Sequence, residues 1–234
     1  MKSLALILAG GKGSRLSKSL EKQFIKVNGY TILEHTLRKF SEVYGKENIL
    51  IVLPPSKIED KNCNIYKKYT NHNFIKSGAT RKQSVKNSII YVNKLNIVLE
   101  NILIHDAARA NINVSLIKKI KLNIHKKNTN YVIPYVNIDS TLKEKKGNII
   151  KTHDRKDFII TQTPQAFKFN IISKLYSNND IITDDAQLVE IYKVRNGKYF
   201  LGDSSNIKIT NVIDLELFRK LNTHNISFKV GNGF

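Results

Sequence analysis

Ser3-Leu4-Ala5-Leu6-Ile7-Leu8-Ala9-Gly10-Gly11-Lys12-Gly13-Ser14-Arg15 stands at the head of the chain, and its reading decides the fold. The apolar run from Leu4 to Leu8 has the length of a buried strand. It passes directly into a loop with three glycines in four positions, Gly10, Gly11 and Gly13. A backbone without Cβ atoms turns tightly and comes close to a ligand, and its successive N–H groups can be aimed inward as an anion nest. Arg15 and, seven residues later, Lys22 add positive charge at the rim. Strand, glycine loop and two cations suit a nucleoside triphosphate. A glycine loop alone also fits a dinucleotide or a flavin. The Rossmann spacing is absent, because position 16 is Leu rather than Gly or Ala, and no Gly-Lys-Ser/Thr run makes a P-loop.

Beyond Lys22 the pattern alternates. Thr31 to Phe40 carries apolar residues at helical spacing with Thr31 as N-cap. Asn48 to Leu53 reads as a strand stopped by Pro54-Pro55. A short strand, Phe74 to Lys76, ends at Ser77-Gly78, and a helix follows from about Arg81 to Tyr91. Asn101 to Asp106 is a buried strand, Asn113 to Lys126 an amphipathic helix with Val114, Ile117, Ile120 and Ile124 on one face, and Tyr131 to Val136 another strand. This β-α-β-α-β order predicts an α/β fold, a mixed and mostly parallel sheet with helices on both faces. Ligands of such sheets sit at the carboxyl ends of the strands, where the glycine loop and Asp106 both fall. Residues 138–151 read as two extended pieces around a hydrophilic turn, Lys143 to Asn148, too poor in apolar residues for a core of their own. This segment is expected to protrude as a β-arm. Helices are expected at 168–176, 184–194 and 214–221, and short strands at 198–202 and 206–209.

The composition, 41% hydrophobic and 25% charged over 234 residues, is that of a globular protein with a sizeable core. No apolar stretch reaches membrane-span length, the first residues do not read as a signal peptide, and Cys63 stands alone. A lone cysteine fits a reducing compartment, so a cytoplasmic protein is expected. The formal charge of +20 raises the question of a polyanion partner. Of 39 basic residues, however, 32 are Lys and 7 are Arg, and Asn and Ile are abundant too. Codons for Lys, Asn and Ile are AT-rich, so a biased genome explains the excess, and no basic block is interleaved with aromatics. A specific nucleic-acid partner is not expected; a basic nucleic-acid-binding protein is the alternative of a different class. The few arginines stand out instead, since a planar fork cannot be replaced by Lys.

Five segments concentrate small, charged and amide residues beside strands: the glycine loop with Lys22-Gln23-Phe24; Ser77 to Val85; His105-Asp106-Ala107-Ala108-Arg109; Asp154-Arg155 through Phe167 with Thr183-Asp184-Asp185-Ala186 beyond; and Asn206 to Thr210. Read singly, Lys22 or Lys208 is a surface lysine, Asp106 a turn cap, and Asp184-Asp185 an acidic helix start. His35, His105 and His153 share no metal-ligand spacing and are assigned to packing or capping. In this order and spacing, from Leu6 to about Phe218, the segments resemble the methylerythritol phosphate cytidylyltransferase family. The resemblance implies a Rossmann-like nucleotidyltransferase fold, a homodimer, CTP as co-substrate, a sugar-alcohol phosphate as acceptor, and Mg²⁺ or another divalent cation. Carried over by position, it makes Ala9, Gly10, Gly11, Lys12 and Gly13 the triphosphate cradle. It makes Arg15 and Lys22 the stabilisers of the transition state, Gly78 and Ser84 the readers of cytosine with Arg81 steadying their turn, and Asp106 the metal ligand. Lys208 and Arg155 then position the sugar phosphate, in a pocket lined by Arg109, Thr141 and Thr183.

The sequence departs from the family where Glu21 and Ala110 stand in place of prolines, Ser140 in place of a frequent Asp, and Ala79 in place of an acidic residue. Glu21 puts a carboxylate beside Lys22, where it would weaken that lysine's field. Ser227 to Phe234 resembles the opening of the methylerythritol cyclodiphosphate synthase family, so residues 1–226 read as the cytidylyltransferase domain, with 138–151 as its dimerisation arm, and 227–234 as the start of a truncated cyclase. A cytidylyltransferase for another acceptor, such as ribitol 5-phosphate, would share the CTP segments and differ around Thr141, Arg155 and Thr183.

Overall fold

Strand β1, Ser3–Leu8, lies inside the sheet, between the strands Asn101–Asp106 and Ile49–Leu53. The computed structural model of the chain describes residues 2–11, 21–60, 72–178 and 180–223. Lys12, Gly13, Arg15, Cys63 and the segment Ser227 to Phe234 lie outside them.

In chain order, a small β-ribbon of β2, Lys26–Val27, and β3, Tyr30–Thr31, leads into helix α1, Ile32–Tyr44. Thr31 caps that helix with a reciprocal box: its Oγ1 accepts from the Glu34 N–H at 3.1 Å, and its own N–H donates to Glu34 Oε2 at 2.6 Å. Then come β4, Ile49–Leu53; a short helix α2, Pro55–Glu59; and β5, Asn73–Lys76. Pro54-Pro55 stops β4 as expected, and Pro55 starts α2, where a missing N–H costs nothing. Helix α3, Arg81–Lys94, β6, Asn101–Asp106, helix α4, Val114–Ile124, and β7, Tyr131–Asn137, complete the first part. The arm is a hairpin of β8, Leu142–Lys146, and β9, Ile149–His153. Beyond it lie β10, Ile159–Thr161; β11, Gln165–Lys168; helix α5, Phe169–Leu175; helix α6, Ala186–Ile191; β12, Gly197–Leu201; and helix α7, Val212–Thr223.

The main sheet runs β10-β7-β11-β6-β1-β4-β5, with β12 also on β7. The block β6-β1-β4-β5 is parallel, β10 and β11 run antiparallel to their neighbours, and β12 is parallel to β7. Alternation along β1 assigns its side chains to two layers. Ala5 and Ile7 pack with Leu33, Leu37 and Phe40 of α1 and Leu116, Ile117 and Ile120 of α4. Leu4 and Leu6 face Val85, Ile89 and Val92 of α3, with Ile172 of α5 and Leu188 of α6. Helix α7 joins through a third cluster in which Phe218, Leu215 and Ile209 meet Val27, Ile32 and Ala110.

Three expectations are corrected. Asn206–Ile209 is not a strand: Asn206 and Ile209 are wholly buried, but the segment is tied by single bonds, Ile209 N–H to Ala108 O at 2.9 Å and Asn206 Nδ2 to Thr163 O at 2.9 Å. The hydrophilic run Lys143 to Lys146 is strand rather than turn, because only Gly147, at φ +59°, has the left-handed backbone the reversal needs. The helix sought at 184–194 is only Ala186–Ile191, and Lys193 takes a positive φ of 48° just beyond it.

Candidate active site

The carboxyl ends of β1, β5 and β6 open onto one cleft of about 720 Å³. Its lining includes Ala9, Gly10, Gly11, Lys22, Gly78, Arg81, Ser84, Asp106 and Lys208. Nine of the residues singled out in the sequence are thus brought together from four of the five segments.

The start of the glycine loop is held from three sides. The Ala9 N–H extends the ladder to Val52 O at 2.9 Å. The Gln23 amide donates to Ala9 O at 2.8 Å and to Gly11 O at 3.0 Å, so a buried side chain clasps the loop. Gly10 packs so closely on the turn after β5 that a Cβ there would stand 2.2 Å from Ser77 Cβ. That turn, Ser77 to Thr80, is closed by Ser84, whose Oγ accepts from the Gly78 N–H at 3.0 Å and donates to Thr80 O at 2.9 Å. Thr80 caps α3 by accepting from the Gln83 N–H at 3.0 Å.

Asp106 ends β6 and is the electrostatic centre of the cleft. Its Oδ1 accepts from Arg81 Nε at 3.0 Å, and its Oδ2 pairs with Lys208 Nζ at 2.7 Å. Burial alone would raise this carboxyl. The charges of Arg81 and Lys208 outweigh burial and hold it well below the usual carboxylate range. Burial likewise opposes charge on Arg81, but Asp185 and Asp106 raise its pKa well above the ordinary arginine value. The Asp106 N–H donates to Thr163 Oγ1 at 3.1 Å, and that hydroxyl also meets His105 Nδ1 at 3.1 Å. Burial pushes the His105 imidazole down to about 3, so it is neutral and structural, as expected. Lys22 Nζ donates to Ile209 O at 2.9 Å, which ties the glycine-loop segment to the strap carrying Lys208. Helix α7 holds that strap in turn, because Asp214 Oδ2 accepts from the Thr210 N–H at 2.7 Å and the Asn211 N–H at 3.0 Å.

Glu21 lies on the cleft and pairs with Lys57, Nζ to Oε2 at 3.8 Å. Arg109 stands behind the cleft wall. Its Nη1 donates to Asn206 O at 2.8 Å, while its buried Nε has no hydrogen-bond partner among the described residues. Burial draws its pKa below the ordinary value. Thr141 and Thr183 are exposed and outside the cleft lining. Arg155 is exposed too, with Nη1 donating to Asp139 O at the root of the hairpin. Within one chain these three are not part of the site.

Two contributors escaped the sequence reading. Gln23 was visible only as the neighbour of Lys22. Asp185 was read as an acidic helix start, yet it makes no cap bond. The capping is done by Asp184, whose Oδ1 accepts from the Gln187 N–H at 3.1 Å. Among the described residues no group of three or more His, Cys, Asp or Glu is placed to hold a metal ion, and no helix is long and apolar enough to cross a membrane.

The chain is similar to known proteins over nearly its whole length. The family model described as 2-C-methyl-D-erythritol 4-phosphate cytidylyltransferase (IspD) matches residues 3–221. A protein of that name from Clostridium perfringens is 35% identical over 225 residues, spanning 92% of this chain and 96% of the relative. A protein named bifunctional enzyme IspD/IspF, from Pelagibacter ubique, is 33% identical over 236 residues, covering 98% of this chain and 60% of its own length. The crystal structure of 4-diphosphocytidyl-2C-methyl-D-erythritol synthase from Anaerococcus prevotii superposes with a TM-score of 0.79 at 28% identity, over 95% of this chain and 96% of that one.

Proposed function

This chain belongs to the 2-C-methyl-D-erythritol 4-phosphate cytidylyltransferase family, and from that membership we propose how its residues divide the work. The reaction transfers a cytidylyl group from CTP to 2-C-methyl-D-erythritol 4-phosphate, giving CDP-methylerythritol and pyrophosphate, a step of isoprenoid precursor synthesis. The observation that carries the assignment of residues is the meeting of Arg81, Asp106 and Lys208 beside the glycine loop, from segments far apart in the chain.

The acceptor phosphate is an oxyanion at neutral pH, so no general base is needed. Its oxygen attacks the α-phosphorus of CTP, and the bond to pyrophosphate breaks in line. The task of the protein is to hold two anions together and to stabilise charge on the five-coordinate phosphorus. The backbone of Ala9, Gly10 and Gly11, continued by Lys12 and Gly13, cradles the triphosphate. Lys22 and Arg15 meet the charge that grows in the transition state. The closed turn of Gly78 and Ser84 reads cytosine, and Arg81, the first residue of α3, anchors it to Asp106. Lys208 receives the acceptor phosphate. A single ionised carboxylate fits Mg²⁺, which takes one or two carboxylates and fills its remaining positions with phosphate oxygens and water. Asp106 would hold it, and when bound it would neutralise triphosphate charge.

The same reading includes a homodimer in the cytoplasm, where CTP is supplied. Ile149 and Ile150 on the arm are 73% and 63% exposed, and Ile159 and Ile160 on β10 are exposed as well, an apolar surface that a second copy would bury. Arg155 and Thr141 at the root of that arm then serve the partner's cleft, together with Thr183 at its edge. The test is pyrophosphate release from CTP with and without Mg²⁺, offering 2-C-methyl-D-erythritol 4-phosphate or ribitol 5-phosphate. Mg²⁺-dependent release with the former alone is the expected result. Release with ribitol 5-phosphate alone would move the chain to another acceptor.

A further inference from the structure

Asp185 is wholly buried at the start of α6, a costly place for a carboxylate unless it is paired. Its Oδ2 accepts from Arg81 Nη2 at 2.6 Å, and its Oδ1 accepts from the Tyr176 hydroxyl. Tyr176 is itself buried at the end of α5. Arg81 uses its Nε on Asp106 Oδ1, leaving Oδ2 to Lys208. The order from the interior to the cleft is therefore Tyr176, Asp185, Arg81, Asp106, Lys208, with two cations against two carboxylates. A guanidinium is a rigid plane, so fixing one of its edges fixes the direction of the other. We propose that Asp185, oriented by Tyr176, is a positioning residue of the cytidylyl transfer: it holds the Arg81 fork so that Asp106 keeps a single orientation toward the cleft. Without the Asp185 charge, Arg81 is left an unbalanced cation whose nearest anion is Asp106. It is then drawn further onto the carboxylate that must serve the nucleotide.

The inference rests on the assignment of Asp106 and Lys208 to the reaction, and the experiment separates the two. Steady-state kinetics, direct CTP binding and thermal melting are measured for Asp106→Asn, Lys208→Ala, Asp185→Asn and Tyr176→Phe. Asp185→Asn keeps the shape and one acceptor oxygen. It is expected to lower kcat by about 10- to 100-fold, as loss of a group supporting a ligand residue does. CTP affinity should fall by less than kcat, since the Nε bond of Arg81 to Asp106 still anchors the turn when the other edge of the fork is released. Tyr176→Phe removes one hydroxyl and should show a smaller loss of the same kind. A purely structural pair would lower the melting temperature and leave the kcat of the folded enzyme alone. In an Arg81→Gln background, Asp185→Asn should cost nothing further, because the two act through one fork. Full kcat in folded Asp185→Asn, or an undiminished extra loss in the Arg81→Gln background, overturns the proposal. Where Asp185→Asn does not fold, Tyr176→Phe decides, and an unchanged kcat there overturns it. If Asp106→Asn and Lys208→Ala are themselves fully active, the site assignment fails instead.

Discussion

Gly10→Ala tests how the glycine loop is seated. The new Cβ would lie 2.2 Å from Ser77 Cβ and 2.7 Å from Ser77 Oγ, while the Ser77 Cα is at an ordinary 3.6 Å. Carbon atoms pack at about 3.5 Å or more, so the two backbones must separate by about 1.3 Å. Neither can do so freely. Ala9 is bonded to Val52 O and clasped by Gln23, and Ser77 is bonded to Leu53 O at 2.7 Å. Overpacking of this kind costs about 1–3 kcal/mol of stability. The larger effect is on geometry, since a displacement of about 1 Å in a positioning element can cost about 100-fold in rate. The assay is pyrophosphate release at varied CTP, where kcat/KM should fall by that order. Both offending atoms belong to the Ser77 side chain, so the double variant Gly10→Ala with Ser77→Gly should recover most of the loss. An active single variant, or a double variant as poor as the single, would refute the argument that this contact sets the loop.

Three further outcomes are expected. Mixing the inactive variants Lys22→Ala and Arg155→Ala and letting subunits exchange should restore activity at about a quarter of all sites if Arg155 serves the neighbouring cleft of a two-fold dimer; flat activity after exchange proven by labelled subunits would place Arg155 in its own chain or outside the reaction. CTP should be preferred to UTP by about 10- to 100-fold in kcat/KM, the cost of leaving buried acceptors near Gly78 unpaired; equal use would show that another part of the cleft meets the base. Burial holds Lys39 down to about 8 from an ordinary 10.5, while its Nζ donates to Ala110 O at 2.9 Å. Between those values the unfolded chain keeps a proton the folded chain has released. Stability should therefore rise with pH there by on the order of 1–3 kcal/mol before exposed tyrosines titrate. Lys39→Gln should flatten that rise in denaturant melts, and an unchanged slope would assign it to other groups.

The parallel block was readable in the sequence because its signals are local. Five apolar residues before Gly10 make β1, the Thr31 and Glu34 pair starts α1, and Thr80 starts α3. The antiparallel half was harder. Gln162-Thr163-Pro164 separates β10 from β11 with polar and breaker residues, and each strand is too short to show a period. Of the site, the glycine loop and the end of β6 could be read from pattern. The approach of Lys208 to Asp106 could not, for no spacing rule spans the hundred or so residues between them. Resemblance alone had grouped them. Asp185 was misread because an acidic residue before a helix ordinarily needs no further explanation, whereas here its burial does.

The strand order has a metric consequence. The Gly78 turn follows β5, the glycine loop follows β1, and Asp106 ends β6, in the lateral order β5-β4-β1-β6. Neighbouring strands stand about 4.8 Å apart, so three intervals put the ends of β5 and β6 roughly 14 Å from each other. The sheet is in this sense a ruler, with hydrogen-bond ladders as its graduations. The turn and Arg81 lean inward over that span, onto Gly10 and Asp106, so the loops decide how much of it stays open. Side chains around the cleft can retune that opening. Changing the span itself would require adding or removing a strand, and with it the fold.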